Sequence, residues 1–337
     1  MKATPHNPAM SVVLATPTDF RTIATTVHHL RRQTIADRLE LVVVAQAPDA
    51  LASSAGAFHG FWGHQVIGVG PFDSVGRANA AGVRAARGPV VVFAEDHCFP
   101  DQEWAEALLE RHSRGDVAVV GPVFRNANPG TLVSWCDFVI GYGPWIDPSP
   151  AGDRPFLAGH NSSYQKAVLL DLGASLDRLL ASETVLHLEL GKRGHRLALE
   201  PRARAAHTNF GKLTSWLPVQ YHSGRVFAAE RASRWHWGRR AFYAAASPLI
   251  PWVRWARALG HMRGRPDPCP SRARLGPLLW IGLAADGVGQ LVGYVAGAGS
   301  SPQKLTRYEY RRIDHVPASD RHLWANVGRP ELTPPQA

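Results

Sequence analysis

Val90-Val91-Val92-Phe93-Ala94-Glu95-Asp96-His97-Cys98-Phe99-Pro100 joins an uninterrupted apolar run to three adjacent side chains that can hold a cation. Apolar β-formers without polar alternation fit a strand covered on both faces, and ligands of open α/β sheets gather beyond the carboxyl ends of such strands. Carboxylate and imidazole both suit manganese or a similar divalent ion. The stretch therefore predicts a central strand with a metal site at its end, formed by Glu95, Asp96 and His97. Its plain alternative is an acidic capping turn beside a solvated histidine.

Working outward, residues 11–16, 39–45 and 66–69 read as three further short strands. Asp19 is placed to cap a helix through Gln33 on which Ile23, Val27 and Leu30 keep helical spacing, and Ser74 starts another that ends before Gly88-Pro89. Strands alternating with helices predict an α/β fold: a mostly parallel sheet flanked by helices. Downstream come a helix at 103–113, a strand at 117–121, helices at 165–173 and 183–194, and short strands at 196–199 and 203–207. Residues 122–155, rich in Gly, Pro, Trp and Asn with little periodicity, read as long functional loops. The catalytic domain is expected over 11–210, after an N-terminal tail at 1–10.

The chain has 337 residues, 45% hydrophobic and 19% charged, with a formal charge of +10. These numbers describe a folded protein. The excess charge is concentrated: between Arg202 and Arg274 stand fourteen Arg or Lys against Glu230 and Asp267, and seven of the eleven tryptophans lie beyond Lys212. Arg interleaved with Trp beside apolar segments leans toward a membrane interface and away from nucleic acid. Residues 241–252 are nearly all apolar. Residues 275–298 are about as long as a membrane span, but six glycines and Asp286 weaken that reading. Region 211–300 is thus expected as a basic, Trp-rich helical appendage at the membrane surface, or a buried helical hairpin, and 301–337 as a polar C-terminal tail. Cys98, Cys136 and Cys269 are too few and too scattered for a disulfide framework. Residues 1–10 show no apolar core of signal-peptide length, so the expected location is the cytoplasm, at the inner face of the cell membrane.

Three segments together carry a resemblance: residues 11–17, Ser74-Val75-Gly76-Arg77-Ala78-Asn79-Ala80-Ala81-Gly82, and Phe93-Ala94-Glu95-Asp96-His97. They resemble the family 2 glycosyltransferases. The resemblance covers roughly 11–210 and implies the A-type nucleotide-sugar transferase fold, with a strand-end DxD motif that holds the metal and the donor diphosphate. Here the first Asp is replaced by Glu95 and the last by His97. It implies Mn2+ or Mg2+, with His207 as a further ligand. It implies a nucleotide-sugar site from Thr16, Pro17, Gln46, Arg77, Asn79, Glu95 and Asp96. The usual aspartate at the second strand end is missing from Ala45-Gln46-Ala47, with Asp49 nearby, which leaves the donor base open.

Ser182-Glu183-Thr184 followed by Gly194-His195-Arg196 resembles the family's acidic motif before a glycine turn, and makes Glu183 the expected base, with Glu189 as a weaker rival. His160, Asn161 and Ser162 resemble the segment bordering the acceptor. Gln220 to Arg225 lacks the Gln-x-x-Arg-Trp pattern of processive synthases, so a single sugar is expected to be moved. The expectation is an inverting, metal-dependent transfer from a nucleotide diphosphate sugar to a glycan or lipid-linked acceptor. A noncatalytic membrane or nucleic-acid adaptor, or a donor-binding member that does not react, is the alternative. A nucleotidyltransferase is disfavoured, since no Gly-rich, Lys-containing loop follows the first strand.

Overall fold

A computed structural model describes residues 7–16, 19–71, 74–265 and 269–325. Strands β1 (Met10–Thr16), β2 (Leu39–Ala45), β3 (Gly63–Gly68) and β4 (Val90–Ala94) run parallel in the order β3-β2-β1-β4. Successive side chains of a strand point to opposite faces. Val13, Val42, Val91 and Phe93 therefore enter one core, with Ala78 and Val83 of the helix Val75–Ala85. Val12, Leu14, Val43 and Val92 enter the other, with Ile23, Val27 and Leu30 of the helix Phe20–Arg31. Asp19 caps that helix as expected, its Oδ1 accepting from Arg21 N at 3.0 Å.

The sheet has nine strands and is mixed. Strands β5 (Cys98–Pro100), β6 (Val119–Asn126), β7 (Gly152–Asp153), β8 (Ser163–Gln165) and β9 (Leu197–His207) extend it as β4-β8-β6-β9-β5, with β7 on β9. β8 lies antiparallel to both β4 and β6, while β9 is parallel to β6. The two short strands expected at 196–199 and 203–207 are one strand. A register shift between Gly121 and Val123 of β6 absorbs the irregularity around Pro201, so pairing resumes beyond it.

Residues 122–155 are not all loop. They contain the second half of β6 and the helix Leu132–Tyr142, which buries Trp135, Cys136, Phe138 and Val139. Nearly every position of that helix is apolar, so it offers no amphipathic period to read.

The core does not stop at residue 210. Trp216, Leu275 and Leu279 belong to the same cluster as Val13 and Phe93. The helix Arg272–Ala296 is long and apolar enough to span a membrane, yet half of its most apolar window is buried inside the protein. It packs along the helix Leu213–Arg231 through a glycine-lined seam, where a Cβ on Gly289 would stand 2.0 Å from the Tyr221 carbonyl oxygen. The expected tail is also folded as far as residue 325: a helix at Ser301–Glu309 is followed by short turns that lie against the end of β4.

Candidate active site

The turn after β4 is held from three sides. Thr26 Oγ1 donates to the Glu95 carbonyl at 2.7 Å, Thr208 N to the His97 carbonyl at 2.9 Å, and Asn161 N to the Phe93 carbonyl at 2.6 Å. Glu95, Asp96 and His97 are all buried. A buried charge needs a partner, and here the partners are each other. His97 Nδ1 meets Asp96 Oδ1 at 2.6 Å, which turns Nε2 toward Glu95 Oε1, 3.6 Å away.

The second layer comes from the loop before β8 and the start of the helix Glu183–Lys192. His160 Nδ1 lies 3.4 Å from Glu95 Oε1, and its Nε2 lies 2.6 Å from Glu183 Oε1. Gly159 lets Glu183 in, since a Cβ there would stand 2.0 Å from the Glu183 carboxyl carbon. Asn161 adopts φ 60° and donates Nδ2 to Glu95 Oε2 at 3.1 Å. At the end of β9, His207 Nε2 lies 3.7 Å from that same oxygen, with Nδ1 2.9 Å from Asn209 Oδ1.

The electrostatics follow from this crowding. Burial pushes the Glu95 carboxyl up, against the pull of His160 and His97. Burial also disfavours charge on His160, but Glu183 and Glu95 outweigh it and lift its pKa to about 10. His207, buried and facing His97, is driven well below the ordinary imidazole value and stays neutral. Glu95, His97 and His207 each offer one ligand atom, all within 4.8 Å of one another. Glu95 Oε1 and His97 Nε2 are buried without a hydrogen-bond partner. Orphaned polar atoms that converge in this way fit a divalent ion.

Residues 11–173 match the family model described as Glycosyl transferase family 2. This segment is a family 2 glycosyltransferase domain. Among relatives, a probable N-acetylgalactosaminyltransferase 9 of Caenorhabditis elegans is 33% identical over 67 residues; these are 20% of this chain, which spans only 12% of that protein's length. Among solved structures, the mannosyltransferase PcManGT from Pyrobaculum calidifontis in complex with GDP-Man and Mn2+ is 15% identical at TM-score 0.47, covering 96% of this chain and 85% of that one. S. aureus TarS 1-349 in complex with UDP is 15% identical at TM-score 0.46, covering 85% and 90%.

The structure gathers Glu95, His97, His160 and Asn161 of the segment 11–173 with Glu183 and His207, which lie beyond it. Asp96 sits among them, but its carboxylate holds the ring of His97. Asn79 lines a cavity of about 20 Å3 enclosed by Glu95, His97 and His160. Thr16 is buried at the end of β1, its hydroxyl 3.0 Å from Thr22 Oγ1. An adjoining cavity of about 440 Å3, lined by Thr22, Asp96, Arg321 and Trp324 among others, is large enough for a nucleotide.

Other expected residues are elsewhere. Gln46 is exposed, and Arg77 is exposed with Nη2 on the Val69 carbonyl. Ser162 is fully buried, its hydroxyl used by the Ala158 carbonyl, so it presents nothing to an acceptor. Glu189 pairs with Arg193 on its own helix. Pro17 lies outside the described residues. Conversely, Glu309, Tyr310, Arg312 and Trp324 reach the site from the segment expected as a tail. Arg312 is buried, with Nη2 2.8 Å from Glu309 Oε2 and Nη1 3.6 Å from Asp137 Oδ2. Burial raises the Asp137 carboxyl to about 6, partly offset by Arg312. Nothing local in Glu309-Tyr310-Arg311-Arg312 distinguishes it from a solvated run.

Proposed function

We propose that this chain is an inverting, metal-dependent glycosyltransferase that moves a single sugar from a nucleotide diphosphate donor to a glycan or lipid-linked acceptor at the cytoplasmic face of a membrane. The observation that carries the reading is the link Glu95–His160–Glu183, which ties the strand-end motif and the candidate base into one site by contacts of 3.4 Å and 2.6 Å.

The residues divide the work. Glu183 is partly exposed and accepts the proton of the acceptor hydroxyl as that oxygen bonds to the anomeric carbon. The bond from that carbon to the diphosphate oxygen breaks on the opposite face, and configuration inverts. His160, whose Nε2 lies 2.6 Å from Glu183 Oε1, orients that carboxylate. Glu95, His97 and His207 would hold a divalent cation, which would supply charge neutralisation for the departing diphosphate. Thr22, Arg321 and Trp324 line the space for the nucleotide.

The membrane part of the reading rests on a face of the C-terminal helices. Trp237, Phe242, Leu249, Trp252 and Val295 are all more than half exposed there, within the basic region. Amphipathic rings with arginines suit head-group depth.

The test is a panel of nucleotide sugars assayed for transfer with and without Mn2+ or Mg2+, alongside Glu183→Gln. A base contributes roughly 10²–10⁴-fold. Turnover is expected to fall by that factor with donor affinity unchanged. A variant retaining more than about a tenth of the activity removes Glu183 from the role.

A further inference from the structure

The small cavity between the strand-end motif and His160 is closed by the C-terminal segment. Glu309, the last residue of the helix Ser301–Glu309, lies with Oε1 3.7 Å from His97 Nε2. It is firmly presented. Its other oxygen takes Arg312, whose guanidinium sits 3.7 Å over the Phe210 ring. Further on, Trp324 Nε1 donates to the Asp96 carbonyl at 3.1 Å, and Thr25 Oγ1 to the Leu323 carbonyl at 3.2 Å.

Two triads of donor atoms share Glu95, one with His97 and His207 and the other with His160 and Glu309. His97 Nε2 and His160 Nδ1 lie 3.6 Å and 3.4 Å from Glu95 Oε1, and Glu309 Oε1 lies 3.7 Å from His97 Nε2. Glu95, His160 and Glu309 also form a group within 4.8 Å of one another. Adjacent ligands about 2.1 Å from an octahedral ion stand about 3.0 Å apart, so these contacts of 3.4 to 3.7 Å lie a few tenths of an ångström beyond occupancy. The volume of about 20 Å3 between these groups suffices for one ion or one water. Glu95 Oε1, shared by the contacts to His97 and His160, is buried without a hydrogen-bond partner, as is His97 Nε2.

The histidines supply a further, independent sign. Each has its far nitrogen fixed by a carboxylate: Asp96 holds His97 Nδ1 and Glu183 holds His160 Nε2, both at 2.6 Å. Carboxylates behind imidazoles in this way set the tautomer and aim the near nitrogen at a metal. His207 approaches the opposite oxygen of Glu95 and stands outside this set.

We propose that Glu309 joins Glu95 and His160 in holding a divalent cation, the ion taking the place of a proton on His160 Nδ1, so that it staples residues 301–325 over the donor pocket. The inference rests on the cation reading above, uses a second donor triad on Glu95, and takes Glu309 from outside the family-matched segment. It predicts that metal tightens the closure of the pocket.

The test uses the full chain without nucleotide: Mn2+ titration followed by electron paramagnetic resonance, and hydrogen exchange of residues 301–325 with and without Mn2+. Wild type is expected to bind Mn2+ and to gain protection in 301–325. Glu309→Gln, whose amide oxygen can still accept from Arg312, is expected to weaken Mn2+ at least tenfold and to abolish that gain. Glu309→Asp, which keeps the charge on a shorter stem, is expected to fall between and covers the case in which the Gln variant fails to fold. Wild-type Mn2+ affinity in both variants overturns the staple and leaves a Glu95, His97 and His207 site standing. Absence of Mn2+ binding by wild type, even with UDP added, overturns the staple and the metal reading together.

Discussion

The nest at the end of β4 and the seam between the helices Leu213–Arg231 and Arg272–Ala296 are equally buried, for opposite reasons. In the nest, ionisable groups are packed together with Glu95 Oε1, His97 Nε2 and Asn161 Oδ1 left without hydrogen bonds. In the seam, side chains are removed so that backbones touch: Gly289 meets the Tyr221 carbonyl and Gly293 the Arg225 carbonyl. One region gives up stability to hold charge in place, and the other spends sequence on nothing but packing. Substitutions in the two should therefore separate activity from stability.

The largest effect is expected in the nest. Glu95→Gln should lower kcat/KM by about 10³-fold, since it removes a cation ligand worth several kcal/mol at the leaving group. Its melting temperature should hold or rise, because a buried charge is gone. A variant that loses activity only in proportion to lost fold would erase the contrast. In the seam, Gly289→Val forces a side chain against backbone 2.0 Å away and should cost about 3 kcal/mol in urea unfolding. At temperatures where it stays folded, its donor affinity should match wild type.

Asn161→Gly sharpens the comparison within the nest. Glycine accepts the φ of 60° without strain, so the loop survives while the amide on Glu95 is lost. Mn2+ affinity should fall about 10–100-fold, the usual cost of losing a group that orients a ligand.

The smallest effect separates two buried histidines. Carboxylates raise His160 to about 10, whereas burial against Tyr164 and the Leu157 backbone lowers His187 to about 4. For His187 the unfolded chain, with an ordinary imidazole, binds more protons than the folded one between about 4 and 6.5. Its contribution is complete above the ordinary imidazole pKa near 6.5 and is lost as pH falls toward 4. Between pH 7 and 5 the loss should be about 2 kcal/mol, and His187→Asn should show correspondingly less pH dependence in urea midpoints.

The same contrast explains what could be read in advance. Val90 to Phe93 announce a buried strand because apolar runs state their burial locally, and Glu95, His97 and Glu183 stand at motif positions a short count from a glycine or a strand end. The helix Leu132–Tyr142 hid because it is apolar on all sides. Glu309 and Arg312 hid because their meaning lies in contacts with His97 and Asp137, more than a hundred residues away. No periodicity records such a pairing. Ser162 misled for a related reason: a hydroxyl in the right segment can be turned inward by a neighbouring carbonyl.

The most direct test is anomalous diffraction at the manganese edge from crystals grown with UDP and Mn2+. The account predicts a single strong peak within about 2.2 Å of Glu95 and His97 donor atoms, at the end of β4. Manganese elsewhere, or UDP bound with no metal at that point, contradicts it.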